Sequence, residues 1–285
     1  MIRKPEWLHK TLVADPNQEM VEETLKEFRL NTVCREALCP NYLECFAHKT
    51  ATFMILGTQC TRNCRFCNVR SGPPQAVDPQ EPERVARAVA KLELRYAVIT
   101  SVTRDDLPDG GAAHFAHTVN ALRKHSPETA VEVLIPDFQG DETALKVVVD
   151  AAPDVISHNM ETVAVLYPRV RPEADYGRSL RLLSNIKRLN PRVRSKTGIM
   201  LGLGETEEQL MALFDDLRSV SCELLTLGQY LAPSRDHHPV VEYIHPERFG
   251  EYGRIAREKG FDFVASAPFV RSSYNAGEAL GLSQT

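Results

Sequence analysis

The chain has 285 residues, which is enough for one α/β domain of barrel size with extensions. Its 34 Lys and Arg residues against 38 Asp and Glu residues give a net charge of −4, with both signs well mixed. This charge excludes a globally basic nucleic-acid-binding protein. No apolar run approaches the ~20 residues that span a bilayer, and the first residues lack the apolar centre of a secretory signal. We therefore predict a cytoplasmic protein with no membrane or nucleic-acid partner.

Short apolar runs alternate with segments of helical period after a cysteine-rich beginning. The predicted strands are Thr52–Leu56, Tyr96–Val102, Val131–Pro136, Val155–Met160, Lys196–Leu201 and Leu224–Leu231. The predicted helices are Pro82–Leu94, Ala113–His125, Glu142–Ala151, Gly177–Leu189, Glu207–Leu217 and Pro246–Lys259. Thr206 and Gln209 have the spacing of a capping box, which predicts where the fifth of these helices begins. Strands that alternate with helices predict a parallel barrel, in which function concentrates at the C-terminal ends of the strands.

Six of the seven cysteines lie between Cys34 and Cys67, and only Cys222 lies elsewhere. The odd count, the tight spacing and the lack of an export signal argue against a disulfide framework and favour thiolates gathered around metal. Cys222 is more simply interpreted as a buried core thiol.

Cys60, Cys64 and Cys67 form a C-x-x-x-C-x-x-C motif directly after the first predicted strand. Three thiolates leave one iron of a four-iron cubane open, and an open iron is able to chelate the amino and carboxylate groups of S-adenosylmethionine. A structural zinc loop is the alternative, but it normally needs four ligands. The spacing, and the aromatic Phe66 before the third cysteine, resemble the radical S-adenosylmethionine (SAM) superfamily.

Other strand ends offer candidate SAM contacts. Gly198–Glu205 resembles the superfamily segment that lines the adenine, which makes Gly202 and Glu205 candidates, although glycines at a strand-to-helix turn are usually there for the turn. The segment TSVTRDDLPDGG supplies Thr100, Ser101 and Arg104 for the methionine amino group, with a simple polar loop as the equal alternative. The remaining candidates are His158, Asn159, Glu161, Gln229 and Tyr230. A structural role is nearly as plausible for the first three, and the last two carry a weaker signal.

Cys34, Cys39 and Cys45 form a second triplet, C-x-x-x-x-C-x-x-x-x-x-C, upstream of the predicted barrel. Together with Arg271-Ser272-Ser273-Tyr274 near the C-terminus, this triplet closely resembles the lipoyl synthase family. The resemblance extends over nearly the whole chain through CREALCPNYLECF, GTQCTRNCRFCNV, TSVTRDDLPDGGA, TLGQYLAPS and APFVRSSYNA.

The resemblance implies a partial (β/α)6 TIM-like radical SAM barrel at residues 49–260. It also implies an N-terminal extension at 1–48 and a C-terminal extension at 261–285 that together hold an auxiliary cluster. Cys34, Cys39 and Cys45 would bind that [4Fe–4S] cluster with Ser273 as fourth ligand, and Cys60, Cys64 and Cys67 would bind the SAM-binding [4Fe–4S] cluster. Ser273 is chosen over Ser272 because it directly precedes the tyrosine.

The implied activity is that of a sulfurtransferase that inserts two sulfur atoms at C6 and C8 of a protein-bound octanoyl-lysine, with the auxiliary cluster as sulfur donor. The implied partners are octanoylated lipoyl carrier domains (E2 subunits and the glycine cleavage H protein), a low-potential electron donor such as ferredoxin or flavodoxin, and a cluster-assembly carrier. The alternatives are another sulfur-inserting or peptide-modifying radical SAM enzyme, or a zinc-structured binding module in which both triplets are structural.

Carrier docking has two candidate basic regions. The stretch that contains Lys187, Arg188, Arg192, Arg194 and Lys196 is one, but a solvated helix end followed by the start of a strand is the better interpretation of it. Arg169 and Arg171, after the fourth predicted strand, are the better candidates for contacts near the site.

Overall fold

The computed structural model describes residues 3–10, 15–48 and 51–282. The strands are β1 (Asn31–Thr32), β2 (Thr52–Ile55), β3 (Gln59–Cys60), β4 (Arg70–Ser71), β5 (Tyr96–Ser101), β6 (Ala130–Leu134), β7 (Val155–Ser157), β8 (Arg194–Leu201), β9 (Leu224–Gln229) and β10 (Phe263–Ser266). The helices are α1 (Pro16–Glu27), α2 (Val33–Glu36), α3 (Tyr42–Ala47), α4 (Glu81–Lys91), α5 (Ala112–His125), α6 (Glu142–Asp150), α7 (Tyr167–Val170), α8 (Tyr176–Leu189), α9 (Glu207–Ser219) and α10 (Pro246–Glu258). Short 3₁₀ helices lie at Glu6–Leu8, Phe138–Gly140, Ala164–Leu166 and Ala276–Leu280.

All six predicted strands and all six predicted helices are present, with ends within three residues of the predicted ones. The capping box at the start of α9 is confirmed, because the Thr206 side chain accepts from the Gln209 backbone and the Gln209 side chain accepts from the Thr206 backbone. The core-thiol interpretation of Cys222 is also confirmed, since the residue is completely buried. No helix in the described parts of the chain is both long and apolar enough to cross a membrane.

The described residues divide into two compact units, and the chain passes from one to the other within β7. The first unit contains residues 15–48, 51–62, 68–156 and 273–282. Its strands follow the order β1, β2, β5, β6, with β1 antiparallel to β2 and the other neighbours parallel. The apolar side chains of α4 pack inward, including Val85 and Val89, which are fully buried. Parallel strands with crossover helices bring the C-terminal ends of β2, β5 and β6 to one edge.

The second unit contains residues 3–10, 63–67 and 157–272. Its strands β8, β9 and β10 are parallel neighbours in that order. Residue Glu161 adds an isolated parallel bridge to Ile199 of β8. Leu225, Phe214 and Phe249 are fully buried in this unit and form part of its core.

Each predicted extension supplies a strand. β1 lies in the predicted N-terminal extension and pairs with β2, and β10 lies in the predicted C-terminal extension and pairs with β9. The boundary predicted at residue 49 falls outside the described residues. The three-part domain division therefore stays a prediction.

Candidate functional site

The chain bends directly after β2, and this bend begins the first cysteine loop. Leu56 and Gly57 both have positive φ angles, of 67° and 93°. The φ angle of Gly57 is one that other residues rarely adopt, and a Cβ atom there would also displace Gln75 Oε1, which lies 2.5 Å away. The Leu56 N–H donates to Glu81 Oε2 at 2.8 Å, and its carbonyl accepts from Arg104 at 3.1 Å. Buried side chains therefore satisfy both backbone groups of Leu56.

Cys60 lies in the first unit, on β3, and its sulfur accepts two backbone hydrogen bonds. The N–H of Thr103 lies 3.3 Å from the Cys60 Sγ, and the N–H of Arg62 lies 3.5 Å from it. Hydrogen bonds to a ligating sulfur are among the features by which a protein tunes an iron–sulfur cluster.

Cys64 and Cys67 lie in the second unit, in a tight turn in which the Cys67 N–H donates to the Cys64 carbonyl at 3.1 Å. Arg65 between them donates its N–H to Val170 at 2.9 Å. The imidazole of His237 contacts the Cys67 carbonyl at 3.1 Å. The backbone of this pair is thus held by residues from two distant parts of the sequence.

The upstream triplet lies wholly in the first unit. Cys34 is on α2, Cys45 is on α3, and Cys39 lies on the connection between them, where its N–H donates to the Cys34 carbonyl at 3.0 Å. Burial raises the pKa of the Cys34 thiol to about 11, and hydrogen bonds with Thr52 offset part of that effect. A bound metal removes the proton from such a thiol outright.

The C-terminal segment contacts two residues that neighbour cysteines of this triplet. Thr52 Oγ1 donates to Ser273 Oγ at 2.8 Å, and the same threonine is hydrogen bonded with Cys34. The Tyr274 hydroxyl donates at 2.6 Å to Glu44 Oε1, the neighbour of Cys45. Residues that are more than 220 positions apart in sequence are therefore brought together in one unit.

Among the described residues, no three His, Cys, Asp or Glu side chains are grouped to hold a single metal ion. A cubane places its irons at separate corners, so its cysteines lie farther apart than the ligands of one ion. The donor sets of the two triplets fit iron–sulfur ligation chemically, because each offers three soft thiolates.

The predicted SAM contacts in the first unit differ in whether their side chains are already hydrogen bonded within the protein. The Thr100 hydroxyl donates to the Leu134 carbonyl at 3.1 Å. Arg104 is 3% exposed and donates to Leu56 and, at 2.8 and 2.9 Å, to Asp106. In contrast, the buried Ser101 hydroxyl oxygen has no hydrogen-bond partner within the described residues. A buried polar atom of this kind suits a ligand contact.

In the second unit, Asn159 and Glu161 form a connected polar group with Ser272. The Asn159 amide donates to Glu161 Oε1 at 3.0 Å and accepts from the Ser272 hydroxyl at 3.0 Å. Arg171, a predicted site contact, donates to the Asn159 carbonyl at 2.8 Å. Burial raises the pKa of Glu161, and the positive charge of Arg171 opposes that shift only in part.

The predicted contacts after β8 and β9 stabilise their own loops. Glu205 accepts the Gly202 N–H at 2.6 Å and the Leu203 N–H at 2.9 Å, and burial raises its pKa despite these bonds. The Gln229 amide nitrogen donates to the carbonyls of Leu201, Tyr230 and Glu242, and its oxygen accepts from Ile244. Both polar atoms of this side chain are therefore already hydrogen bonded to the backbone.

Two further candidates, His158 and Tyr230, are also hydrogen bonded within the second unit. The His158 ring contacts the Ser179 hydroxyl at 2.9 Å, and the Tyr230 hydroxyl donates to the His238 carbonyl at 2.7 Å. Lys187 lies in the last turn of α8 and pairs with Glu223 at 2.9 Å, and Lys196 on β8 is buried. The basic stretch is therefore a helix end followed by a strand, as expected, but these two lysines are not exposed.

Sequence analysis missed two buried ionic groups in the first unit. Glu81 accepts a hydrogen bond from the His114 ring at 2.9 Å, and Arg62 contacts Asp105 and Asp137. Arg62 lies between two cysteines of one motif, which is the only sequence signal that points to it.

Comparison with known proteins first identifies the superfamily of this chain. Residues 54–217 match the family model of the Radical SAM superfamily. Methylornithine synthase (PylB) has a TM-score of 0.53 with 12% identity, over 91% of this chain and 85% of that one. Streptococcus suis SuiB bound to S-adenosylmethionine has a TM-score of 0.60 with 11% identity, over 79% of this chain and 53% of that one. The chain is a member of the radical SAM superfamily and has its α/β barrel fold, as predicted.

The curated relatives narrow this class. The chain is 58% identical over 278 residues to the lipoyl synthase of Alkaliphilus metalliredigens, covering 98% of this chain and 96% of the relative. It is 56% identical over 281 residues to the lipoyl synthase of Geobacter metallireducens, covering 99% of each. The chain belongs to the lipoyl synthase family.

Proposed function

We propose that this chain converts a protein-bound octanoyl-lysine into lipoyl-lysine by inserting sulfur at C6 and C8. The first cluster is proposed to bind Cys60, Cys64 and Cys67. The auxiliary cluster is proposed to bind Cys34, Cys39 and Cys45, with Ser273 as its fourth ligand. The observation that carries the proposal is the placement of Ser273 against Thr52, which also contacts Cys34.

Both carbon positions are unactivated, so no acid or base in a protein removes hydrogen from them at useful rates. When bound, the first cluster supplies an electron that cleaves S-adenosylmethionine to the 5′-deoxyadenosyl radical, and the auxiliary cluster supplies sulfur. The chain's own residues hold these groups and the alkyl chain in reacting positions.

The contact with Thr52 supports Ser273 as this ligand. The Ser273 oxygen accepts from Thr52, so the hydroxyl is held in one position by a neighbour of Cys34. Oxygen is a harder ligand than thiolate and matches iron–sulfur chemistry less well. Such a ligand is suited to a cluster that has to release an iron corner during turnover.

Candidate SAM contacts are proposed at Thr100, Ser101, Arg104, Asn159, Glu161, Gly202, Glu205 and Gln229. Ser101 is the best supported of them, because its buried hydroxyl has no partner in the described part of the chain. The proposed protein partners are octanoylated carrier domains and a low-potential electron donor. A cluster-assembly carrier is proposed to restore the auxiliary cluster.

The test is anaerobic incubation of the reconstituted enzyme with SAM, a low-potential reductant and an octanoyl-lysine peptide, followed by mass measurement. Wild type is expected to add two sulfur atoms. Ser273→Ala and Cys39→Ala are expected to abolish dithiolane formation, while Cys39→Ala still cleaves SAM. Cys222→Ala is the matched cysteine control and is expected to retain activity. A single turnover with ³⁴S-labelled clusters and unlabelled sulfur elsewhere refutes the proposal if the product is unlabelled.

A further inference from the structure

Arg62 is a buried arginine within the first cysteine motif, between Cys60 and Cys64. It is 7% exposed. Its guanidinium donates to both oxygens of Asp105, at 2.6 and 2.9 Å, and to Asp137 Oδ1 at 2.6 Å. A two-pronged arginine–carboxylate contact fixes direction as well as distance, which a lysine does not do. The side chain of Arg62 is therefore anchored at three points.

Thr61 also connects the cysteine loop at 60–62 to the loop at 103–105. Its N–H and its hydroxyl both donate to the Thr103 carbonyl at 3.0 Å, and its hydroxyl oxygen accepts from the Asp105 N–H at 3.1 Å. The cysteine loop at 60–62 and the loop at 103–105 are consequently held in register.

This register determines the surroundings of the Cys60 sulfur. One of the two N–H groups that point at it belongs to Arg62, and the other belongs to Thr103. Neither residue offers its side chain to the sulfur. The contacts that hold the two loops together are those of Thr61 and the Arg62–Asp105 pair.

The backbone beyond β6 is distorted where it supplies the second carboxylate. Asp137 is 1% exposed and accepts the Gln139 N–H at 3.1 Å. Phe138 and Gln139 both have left-handed backbone angles, with φ of 46° and 52°. Non-glycine residues adopt this conformation at a cost that the surrounding structure must offset, and such residues cluster at functional sites. Asp137, which contacts Arg62, lies directly before this distorted segment.

We propose that Arg62, through Asp105 and Asp137, is a positioning residue that holds two backbone N–H groups against Cys60 Sγ and thereby sets the reduction potential of the SAM-binding cluster. Hydrogen bonds to cluster sulfurs stabilise the extra negative charge of the reduced state and make the potential less negative. The inference rests on the proposed function, specifically on Cys60 as a ligand of that cluster.

The experiment is an anaerobic redox titration of the reconstituted full-length enzyme, followed by electron paramagnetic resonance. The SAM-binding cluster is identified as the one whose signal changes when SAM is added. The variants are Arg62→Gln, Arg62→Lys and Asp105→Asn. Arg123→Gln is the matched control, because Arg123 pairs with Asp154 at 2.8 Å in the same unit and its other hydrogen bonds are to the carbonyls of Thr129 and Ala152.

We expect Arg62→Gln to shift the midpoint to a more negative potential. At the wild-type midpoint, the ratio of reduced to oxidised cluster is expected to fall about tenfold, which corresponds to about 59 mV for one electron. Arg62→Lys and Asp105→Asn are expected to shift it less and in the same direction, and Arg123→Gln not to shift it.

An unchanged midpoint and an unchanged signal in both Arg62→Gln and Asp105→Asn would overturn the inference. If Arg62→Gln takes up no cluster, Asp105→Asn decides, because an amide keeps the size of the side chain and part of its hydrogen bonding. Cys60→Ala separates the two proposals. Loss of the SAM-responsive signal in Cys60→Ala supports Cys60 as a cluster ligand. A signal that survives in Cys60→Ala overturns that ligand assignment, and the role of Arg62 falls with it. An unchanged midpoint in the Arg62 and Asp105 variants, with the signal lost in Cys60→Ala, overturns only the role of Arg62.

Discussion

Two Glu–His pairs connect α4 to α5, one buried and one exposed. Glu81 and His114 are 5% and 6% exposed, and Glu81 Oε2 accepts from both the His114 ring and the Leu56 N–H. Glu83 and His125 form the same kind of contact at 2.5 Å, with side chains that are 49% and 28% exposed. The two pairs therefore allow the same substitution to be compared in two environments.

Glu81→Ala leaves two buried groups unpaired, the Leu56 N–H and the His114 ring. Each such group costs about 1–3 kcal/mol when it is left buried without a partner. We expect a loss of about 3–5 kcal/mol in the free energy of unfolding, a large part of the roughly 5–15 kcal/mol of a typical domain. Glu83→Ala removes an exposed pair and is expected to cost about 0–1 kcal/mol.

The assay is urea unfolding followed by far-UV circular dichroism, with both alanine variants measured in parallel. Glu81→Gln keeps an acceptor oxygen and loses only the charge, so its effect is expected to lie between those of the two alanine variants. Equal losses in Glu81→Ala and Glu83→Ala would refute the reasoning, because burial would then make no difference. The same result would remove Glu81 as the support of the turn at Leu56, where the cysteine loop begins.

Three further predictions concern the second unit and one helix outside the site. Burial raises the pKa of Glu161, so the folded protein keeps a proton there that the unfolded chain releases. The contribution of this residue to stability is therefore complete below the ordinary glutamate pKa, and it is lost as pH rises through the raised pKa. The stability of Glu161→Gln relative to wild type should thus increase with pH above about 4.3 in urea titrations, and a difference that does not change with pH would contradict this. Gly198→Ala places a Cβ 2.6 Å from Ser272 Oγ and should lower the free energy of unfolding by about 1–3 kcal/mol. Gly250→Ala, in α10, has nothing within 4 Å of its Cβ and should raise the free energy of unfolding by about 0.5–1 kcal/mol. Thermal melting checks both variants, and changes of the same sign would count against the packing argument. Burial raises the pKa of Cys222 to about 12, so iodoacetamide should label Cys222 in cluster-free native protein only as the protein unfolds, and rapid labelling detected by peptide mass spectrometry would show that the thiol is accessible.

The repeated strands and helices could be predicted because their periodicity is local. An apolar run followed by an amphipathic stretch is visible in any window of the sequence. β1 and β10 were not predicted, and each pairs with one neighbouring strand, β1 with β2 and β10 with β9. No local pattern indicates such pairing.

The site divides in the same way. Cysteine spacing points to both clusters, and the resemblance to a family points to Ser273, but neither shows that Thr52 contacts it. Gln229 illustrates the opposite case, because a polar residue at a strand end predicts a ligand contact while the fold uses its amide to hold three carbonyls. A charged residue such as Arg62 is by default predicted to be exposed. Only the fold places two carboxylates around it.

The loop after β5 links these results, because three consecutive residues in it contact three different parts of the cysteine loop. The Thr103 N–H reaches the Cys60 sulfur, Arg104 holds the Leu56 carbonyl, and Asp105 holds the Arg62 guanidinium. The segment whose polarity predicts SAM contacts is therefore also the support on which the first cysteine loop is built. A substitution at 103–105 should disturb the cysteine loop whether or not the residue touches SAM. Loss of SAM binding in such a variant consequently identifies a SAM contact only if its iron and sulfide content is the same as that of wild type.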